Sequence, residues 1–432
     1  MKRLAWVCVV VSAAASILPG QRNKDAGLAR EKLPSWLKIG GEIRGRLEAE
    51  HGFKYAPGED DTYYLHRFTF DVSVRPISWL SFSAQAQDAR VAGYSRGPSP
   101  SSLANPFDLR SGFVEVRRGA AEGWSLRAGR QEMKFGEDRL IGNSNWSNIP
   151  RRFDAVRLTW KRQDATLDWF ASSVVTTVRD GFDRPRLYNG FFGFYSSFRN
   201  LPGKSTVEPY VLWKTNARVR GERGTTGDLD VYTAGARAVG ELPLRFDYSV
   251  EAALQAGSYA ADDIRAWAGH WRLGHKLPYA NKAFRLVLEF NHASGDDNPR
   301  DGRRGTFDQL FPTNHQKYGI ADRITWRNIN DLMAGVEWRP AKKWRWLIDY
   351  HSFWLATLQD GMYTDAGALV VRNPGASSRR IGGEVDVQGS YQFTERLQFS
   401  VGFGHLFAGP FLRESIPERS SSYPYVMWTY AF

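Results

Sequence analysis

Residues 125–160 read SLRAGRQEMKFGEDRLIGNSNWSNIPRRFDAVRLTW. The segment opens as an alternating strand, with Ser125, Arg127 and Gln131 on one face and Leu126, Ala128 and, at the strand end, Arg130 on the other. A run rich in Gly, Asn, Asp and Arg follows. Strand character then returns, with Val156, Leu158 and Trp160 on one face and Arg157 and Thr159 on the other. Six arginines thus sit within or between two strands whose other faces are apolar. A soluble sandwich has little use for so many guanidinium groups beside its interior, whereas a barrel that is apolar outside and wet inside does.

The composition fits that reading. The chain has 432 residues, a formal charge of +12 and 14% aromatics, including 16 Trp, 18 Tyr and 26 Phe. Its mean hydropathy of -0.46 looks soluble, but a barrel has that value too, because only alternate strand residues face lipid. Residues 1–20 have the layout of a secretory signal peptide: Lys2 and Arg3, an apolar run from Leu4 to Ala15, then small residues and Pro19-Gly20. Cys8, the only cysteine, lies inside it, so the exported chain, residues 21–432, would carry no disulfide and no thiol site. Downstream there is no run of about eighteen apolar residues, so a membrane is crossed by strands or not at all.

Further strands follow the same alternation. Ile43, Gly45 and Leu47 oppose Glu42, Arg44, Arg46 and Glu48; Phe68, Phe70 and Val72 oppose Arg67, Thr69 and Asp71. Phe246 to Leu254, Phe284 to Phe290, Trp346 to Tyr350 and Leu397 to Phe403 repeat the pattern, and weaker cases bring the count to about eighteen. Connectors keep a parity. Those after even-numbered strands are short, such as Pro76 to Trp79, Lys161 to Ala165 and Thr394 to Arg396. Those after odd-numbered strands are long, such as Glu132 to Arg152, Thr215 to Asp230, Ala293 to Asn330 and Leu355 to Arg380, with Ser258 to Asp263 as an exception. The expected fold is all-β: a transmembrane antiparallel β-barrel with short periplasmic turns and long extracellular loops. The terminal YPYVMWTYAF, Tyr423 to Phe432, ends on an aromatic strand of the kind barrel-assembly machinery reads.

Placing the charged face of each strand toward the lumen puts Arg44, Arg46, Arg67, Arg75, Arg127, Arg157, Arg237, Arg245, Arg272, Arg285 and Arg345 in the bore, since an arginine facing lipid costs roughly 2–4 kcal/mol. Guanidinium stays charged and grips carboxylate or phosphate in two-pronged fashion. Glu42, Glu48, Asp71, Glu115, Asp168, Asp247, Glu251 and Glu289 share that lumen, so cross-strand pairing accounts for many of these arginines. The excess of base over acid favours an anionic solute.

Motifs for catalysis are weak. Gly93-Tyr94-Ser95-Arg96-Gly97 matches a nucleophile elbow, but Pro98 and Pro100 follow, where that motif needs a helix. His270, His275, His292, His315 and His351 have no site-defining spacing, and Asp296, Asp297, Asn298 and Asp301 lack the spacing of a calcium loop. No pattern calls for a cofactor or metal, and basic residues spread along strands do not make a nucleic-acid patch.

The stretch from Leu126 to Leu158, with its Gly-Arg-Gln strand end, Asp-Arg-Leu, Trp-Ser-Asn and Arg-x-Phe-Asp, resembles the signature of the alginate-export family of bacterial outer-membrane proteins. Phe290 to Asp322, FNHASGDDNPRDGRRGTFDQLFPTNHQKYGIAD, is similar to a second family segment. The resemblance implies an eighteen-stranded passive channel through which an acidic polysaccharide such as alginate or a related polyuronate leaves the cell, ligated by arginines. It carries pore and substrate-binding roles to Arg127, Arg130, Arg139, Arg152 and Arg157, with Asp154 as acidic partner; Arg46 and Arg67 join them on strand register. Glu137-Asp138 stands where the family pattern has Gly-Asp. The implied partners are the acidic polysaccharide or another anionic solute, outer-membrane lipid, barrel-assembly machinery and periplasmic export proteins, with no nucleic acid. A general or phosphate/carboxylate-selective uptake porin is the alternative, and an outer-membrane hydrolase the third reading.

Overall fold

A computed structural model describes residues 33–52, 59–119, 122–178, 181–277, 283–417 and 420–432. The expected signal segment, residues 1–20, lies outside the described residues. Eighteen long strands make the wall: β1 (Leu37–Glu50), β2 (Asp61–Ile77), β3 (Leu80–Ala92), β4 (Asn105–Arg118), β5 (Gly123–Gln131), β6 (Phe153–Arg162), β7 (Ala165–Thr176), β8 (Arg184–Leu201), β9 (Ser205–Arg220), β10 (Thr226–Leu242), β11 (Phe246–Tyr259), β12 (Asp262–Lys276), β13 (Phe284–Ala293), β14 (Ile329–Trp338), β15 (Trp344–Leu355), β16 (Arg380–Thr394), β17 (Leu397–Ala408) and β18 (Ser420–Ala431). Each pairs antiparallel with its neighbour in sequence, and β18 returns to β1, from Glu42 opposite Ala431 to Glu48 opposite Tyr425. Gly41 and Phe432 exchange two main-chain hydrogen bonds of 3.1 Å at this seam. Closure leaves no open sheet edge, the condition for strands to cross a bilayer.

The connector parity holds. The turns at one end are short, down to residues 163–164 and 395–396, while residues 132–152, 294–328 and 356–379 form long loops at the other. One expectation is corrected: Thr215 to Asp230 is not a long loop. β9 runs to Arg220 and β10 resumes at Thr226, so the wall extends beyond the apolar band, where polar residues on both faces no longer break a strand. The short exception is the two-residue turn 260–261 between β11 and β12.

The alternation separates two environments. Leu47, Phe70, Val156, Leu254, Leu288, Val401 and Val426 are exposed on the outer surface, whereas Arg46, Glu48, Arg67, Thr69, Gln255, Glu289 and Thr429 are buried on the inner one. Exposed aromatics gather near both rims: Trp36, Trp79, Trp124, Trp344 and Phe393 toward the short turns, Trp213, Tyr232, Trp267 and Phe407 toward the long loops. Among the described residues no helix is long and apolar enough to span a membrane.

The bore is filled. Residues 132–152 and 294–328 fold inward and pair with each other through Ile141 and Phe311, with Gly142 N–H to Phe311 O at 2.8 Å, Phe311 N–H to Leu140 O at 2.9 Å and Thr313 N–H to Asp138 O at 2.8 Å. Their Met133, Leu140, Ile141, Phe307, Tyr318 and Trp326 share one apolar cluster with Phe153, Phe191 and Phe353 of the wall. The loops therefore form a plug with its own core.

On the outer face Gly45 makes room for aromatic rings: a Cβ there would lie 2.2 Å from the Tyr64 hydroxyl and 2.4 Å from the Trp428 indole. Gly45→Leu forces both rings aside and is expected to cost about 1–3 kcal/mol of overpacking. The check is the temperature at which the folded band converts to the unfolded one on a semi-native gel, which should fall.

Candidate permeation site

Polar side chains enclosed by a barrel need partners, because a buried charge without one is strongly destabilising. The plug supplies many of them. On the β1–β2 wall, Arg44 donates to Asn145 O (2.8 Å), Trp146 O (3.1 Å) and Ser147 O (3.0 Å), Arg46 to Trp146 O (2.6 Å), and Arg67 to Asn145 O and Ser147 O (3.2 Å each). Arg67 also reaches Glu42 at 2.8 Å, and Arg46 pairs with Glu48. The Arg46 guanidinium lies 3.9 Å from the centre of the Trp146 ring, and the His315 ring stacks parallel to the same indole at 3.8 Å. Both cannot occupy one face, so Trp146 is sandwiched.

Across the bore, Glu137 accepts from Arg237 (3.0 Å), Arg272 (2.9 Å) and the Ser249 hydroxyl (2.9 Å). Burial alone would raise the Glu137 carboxyl, but Arg272, Arg139, Lys317 and Arg237 together hold it well below the usual carboxylate range. Arg139 inserts between Glu289 (2.7 Å), Asn291 (3.2 Å) and the Tyr318 hydroxyl (3.2 Å). Arg151 joins the two loops by donating to Gly142 O (3.1 Å) and Pro312 O (2.7 Å). The second loop docks on β16, where Ile320 N–H meets Asp386 (3.1 Å) and Ala321 N–H meets Glu384 (3.0 Å).

Two cavities lie on the short-turn side of the plug. One, of about 150 Å³, is bounded by Arg44, Arg67, Lys134 and Arg345, by Glu42 and Asp138, and by uncharged groups such as Gln388 and Ser400. The other, of about 240 Å³, has Arg117, Arg127, Arg157 and Lys161 around Glu115 and Glu122. The remaining polarity is uneven: on the β14–β16 wall, buried Asp331, Glu384 and Asp386 surround His351, with Asp331 at 3.0 Å.

The sequence-derived residues separate into groups. Arg46, Arg67 and Arg139 hold the plug. Arg127, bound to Glu115 at 2.8 and 2.5 Å, and Arg157, bound to Asp168 at 2.8 Å, face the second cavity. Arg130 and Asp154 are not brought to the bore, which corrects their expected pore role. They continue the outward parity of Leu126, Ala128 and Val156, pair with each other at 2.8 and 3.1 Å, and sit under Asp183, whose carbonyl accepts from Arg130 at 3.1 Å. Arg152 is buried against Asp183 and Thr177. Arg245 leaves the bore too, because it stands in the short turn 243–245 with φ 67°. Of the eleven arginines assigned to the lumen, eight are bound to a carboxylate, which makes pairing their majority state. Arg110 escaped the sequence reading, while His315 figures there only as a catalytic candidate, Trp146 only within the Trp-Ser-Asn motif and Glu137 only as a departure from the family's Gly-Asp.

The family profile described as alginate export matches residues 35–426. Among solved structures the chain is similar to OccK11 (OpdR) of Pseudomonas aeruginosa, at 14% identity and TM-score 0.58 over 92% of this chain and 96% of that one. It is also similar to OccK1 (OpdK) of the same organism, at 11% and 0.63 over 92% and 98%, and to OccAB2 of Acinetobacter baumannii, at 10% and 0.60 over 92% and 98%. At such identities the likeness is one of fold. No curated protein matches the chain in sequence.

Arg139→Ala would strand Glu289 in the bore and loosen the plug by about 3–5 kcal/mol. Limited proteolysis in detergent is then expected to cut within residues 132–152 at protease concentrations that leave the parent chain intact.

Proposed function

The chain belongs to the alginate-export family, and on that premise we propose that its outer-membrane barrel is a passive, anion-selective channel for an acidic polysaccharide, alginate or a related polyuronate. The observation that carries this reading is the pair of basic cavities on the short-turn side of the plug, with Arg117, Arg127, Arg157 and Lys161 in one and Arg44, Arg67, Lys134 and Arg345 in the other. Cations enclosed by low-dielectric walls concentrate anions and repel cations. Guanidinium groups take a sugar carboxylate in bidentate fashion, while Asn143, Gln316, Gln398, Ser400 and Thr429 offer uncharged hydrogen bonds suited to sugar hydroxyls. Because several such arginines are already shared with carboxylates, none holds the polymer too firmly, and it advances by exchanging one partner for the next.

Export is the favoured direction, since both cavities lie toward the periplasmic turns, where a polymer made inside the cell arrives. In this reading residues 1–20 direct secretion, barrel-assembly machinery inserts the wall, and periplasmic export proteins deliver the chain. A carboxylate- or phosphate-selective uptake porin is the second reading, favoured by the extent of lumenal ion pairing. A hydrolase finds no support at Ser95, whose hydroxyl donates to Asp61 at 2.9 Å.

Planar-bilayer reversal potentials in a salt gradient test the assignment. The parent channel is expected to prefer chloride over potassium and to have its current changed by polyuronate far more than by phosphate. Arg127→Gln combined with Arg157→Gln leaves Glu115 and Asp168 without those cations, so the anion preference should fall several-fold. Unchanged selectivity would remove these arginines from the path.

A further inference from the structure

Three guanidinium groups converge from β1 and β2 on a loop tip that carries no full charge. Arg44, Arg46 and Arg67 donate six hydrogen bonds of 2.6–3.2 Å to three consecutive main-chain carbonyls, those of Asn145, Trp146 and Ser147. Three successive carbonyls turned to one side give the loop tip partial negative charge and no full charge. The wall matches Arg67 with Glu42 and Arg46 with Glu48, and neighbouring Arg110 with Glu132. Among the described residues the buried Arg44 donates to these carbonyls and, at 3.4 Å, to the side-chain oxygen of Asn148. A guanidinium bond to a carbonyl is charge-assisted on the donor side alone, whereas a carboxylate adds the attraction of a full opposite charge and a two-pronged fit. The loop tip is therefore a weaker partner for Arg44, and for the remaining donors of Arg46 and Arg67, than a carboxylate would be.

The geometry offers access to a stronger one. The cavity of about 150 Å³ reaches Arg44, Arg67, Asn145 and Trp146 together from the short-turn side. The tip is also held differently from the base of its loop. Glu137 and Arg139 fix the base by full ion pairs, whereas the tip depends on carbonyls and on the Trp146 ring between Arg46 and His315. The chain enters the tip through Ser144 at φ 51°, a left-handed conformation that a serine adopts only when its surroundings impose it.

We propose that residues 145–147 are a built-in competitor: the loop tip shuts the bore by occupying a carboxylate-binding cluster, and a polyanion arriving from the short-turn side opens it by taking over the guanidinium groups. This deepens the function proposed above and rests on it. The base of the plug stays docked during the exchange, so only the tip moves. Because the ligand competes with carbonyls through charge, high salt weakens the opening.

The mature protein in planar bilayers tests this, with oligouronate or neutral dextran of equal length added to each side in turn. Oligouronate on the short-turn side is expected to raise the open probability on the order of tenfold, within the ordinary range of coupling between two sites, and dextran to leave it unchanged. Trp146→Ala should open the channel without oligouronate while keeping its anion preference. A second variant, Gly142→Cys with Thr313→Cys, ties the two loops where they already pair beside residues 311–313; oxidised, it should respond as the parent does, and loss of the response on oxidation would overturn the assignment of the movement to the tip. The proposal is overturned if the parent channel is fully open in salt alone and oligouronate only blocks it. It is equally overturned if Trp146→Ala, still running as a folded barrel on gels, gates as the parent does. In those results a retained anion preference leaves the functional reading standing, whereas loss of that preference in the parent channel removes both.

Discussion

A guanidinium group cannot be left bare inside a closed wall, and the interior of this barrel is arranged around that constraint. The outer face solves a simple problem, that of meeting hydrocarbon, with alternate aliphatic and aromatic residues. The inner face has to match charge with charge or with a carbonyl at nearly every level. Cross-strand carboxylates do so on β4–β7 and β9–β15, and the inward loops do so on β1–β2. The plug is thus held by the same polar groups that would otherwise pull water and ions through the bore.

This makes the lumen electrically uneven. One side of the wall offers guanidinium groups to the short-turn cavities, while β14–β16 gathers Asp331, Glu384 and Asp386 around a histidine. The second loop covers the acidic flank by presenting main-chain N–H groups from Ile320 and Ala321. Carbonyls toward arginine and N–H groups toward carboxylate are complementary uses of one backbone.

Much of the wall was legible in the sequence because its signal is local. A period of two survives wherever one face meets lipid and the other water, and the alternating apolar and polar residues of β1, β2, β11, β13 and β17 announced themselves. The signal faded where the wall rises past the membrane, which is why Thr215 to Asp230 read as a loop. Parity also placed Arg130 beside Leu126 and Ala128 on the outward face, and there register proved the better guide than the motif that assigned it to the pore. The plug was out of reach: which carbonyls meet Arg44, or that Glu137 meets Arg237 and Arg272, depends on how loops fold within the finished wall.

The seam between β1 and β18 bears on how such a chain is made. Every other strand has its hydrogen-bonding neighbour next to it in sequence, but β1 finds its second partner only in a segment synthesised after all the rest. Until then its free edge offers a template to any passing strand. The aromatic strand β18 is the one that ends this exposure, so the wall stays open along β1 until β18 is in place.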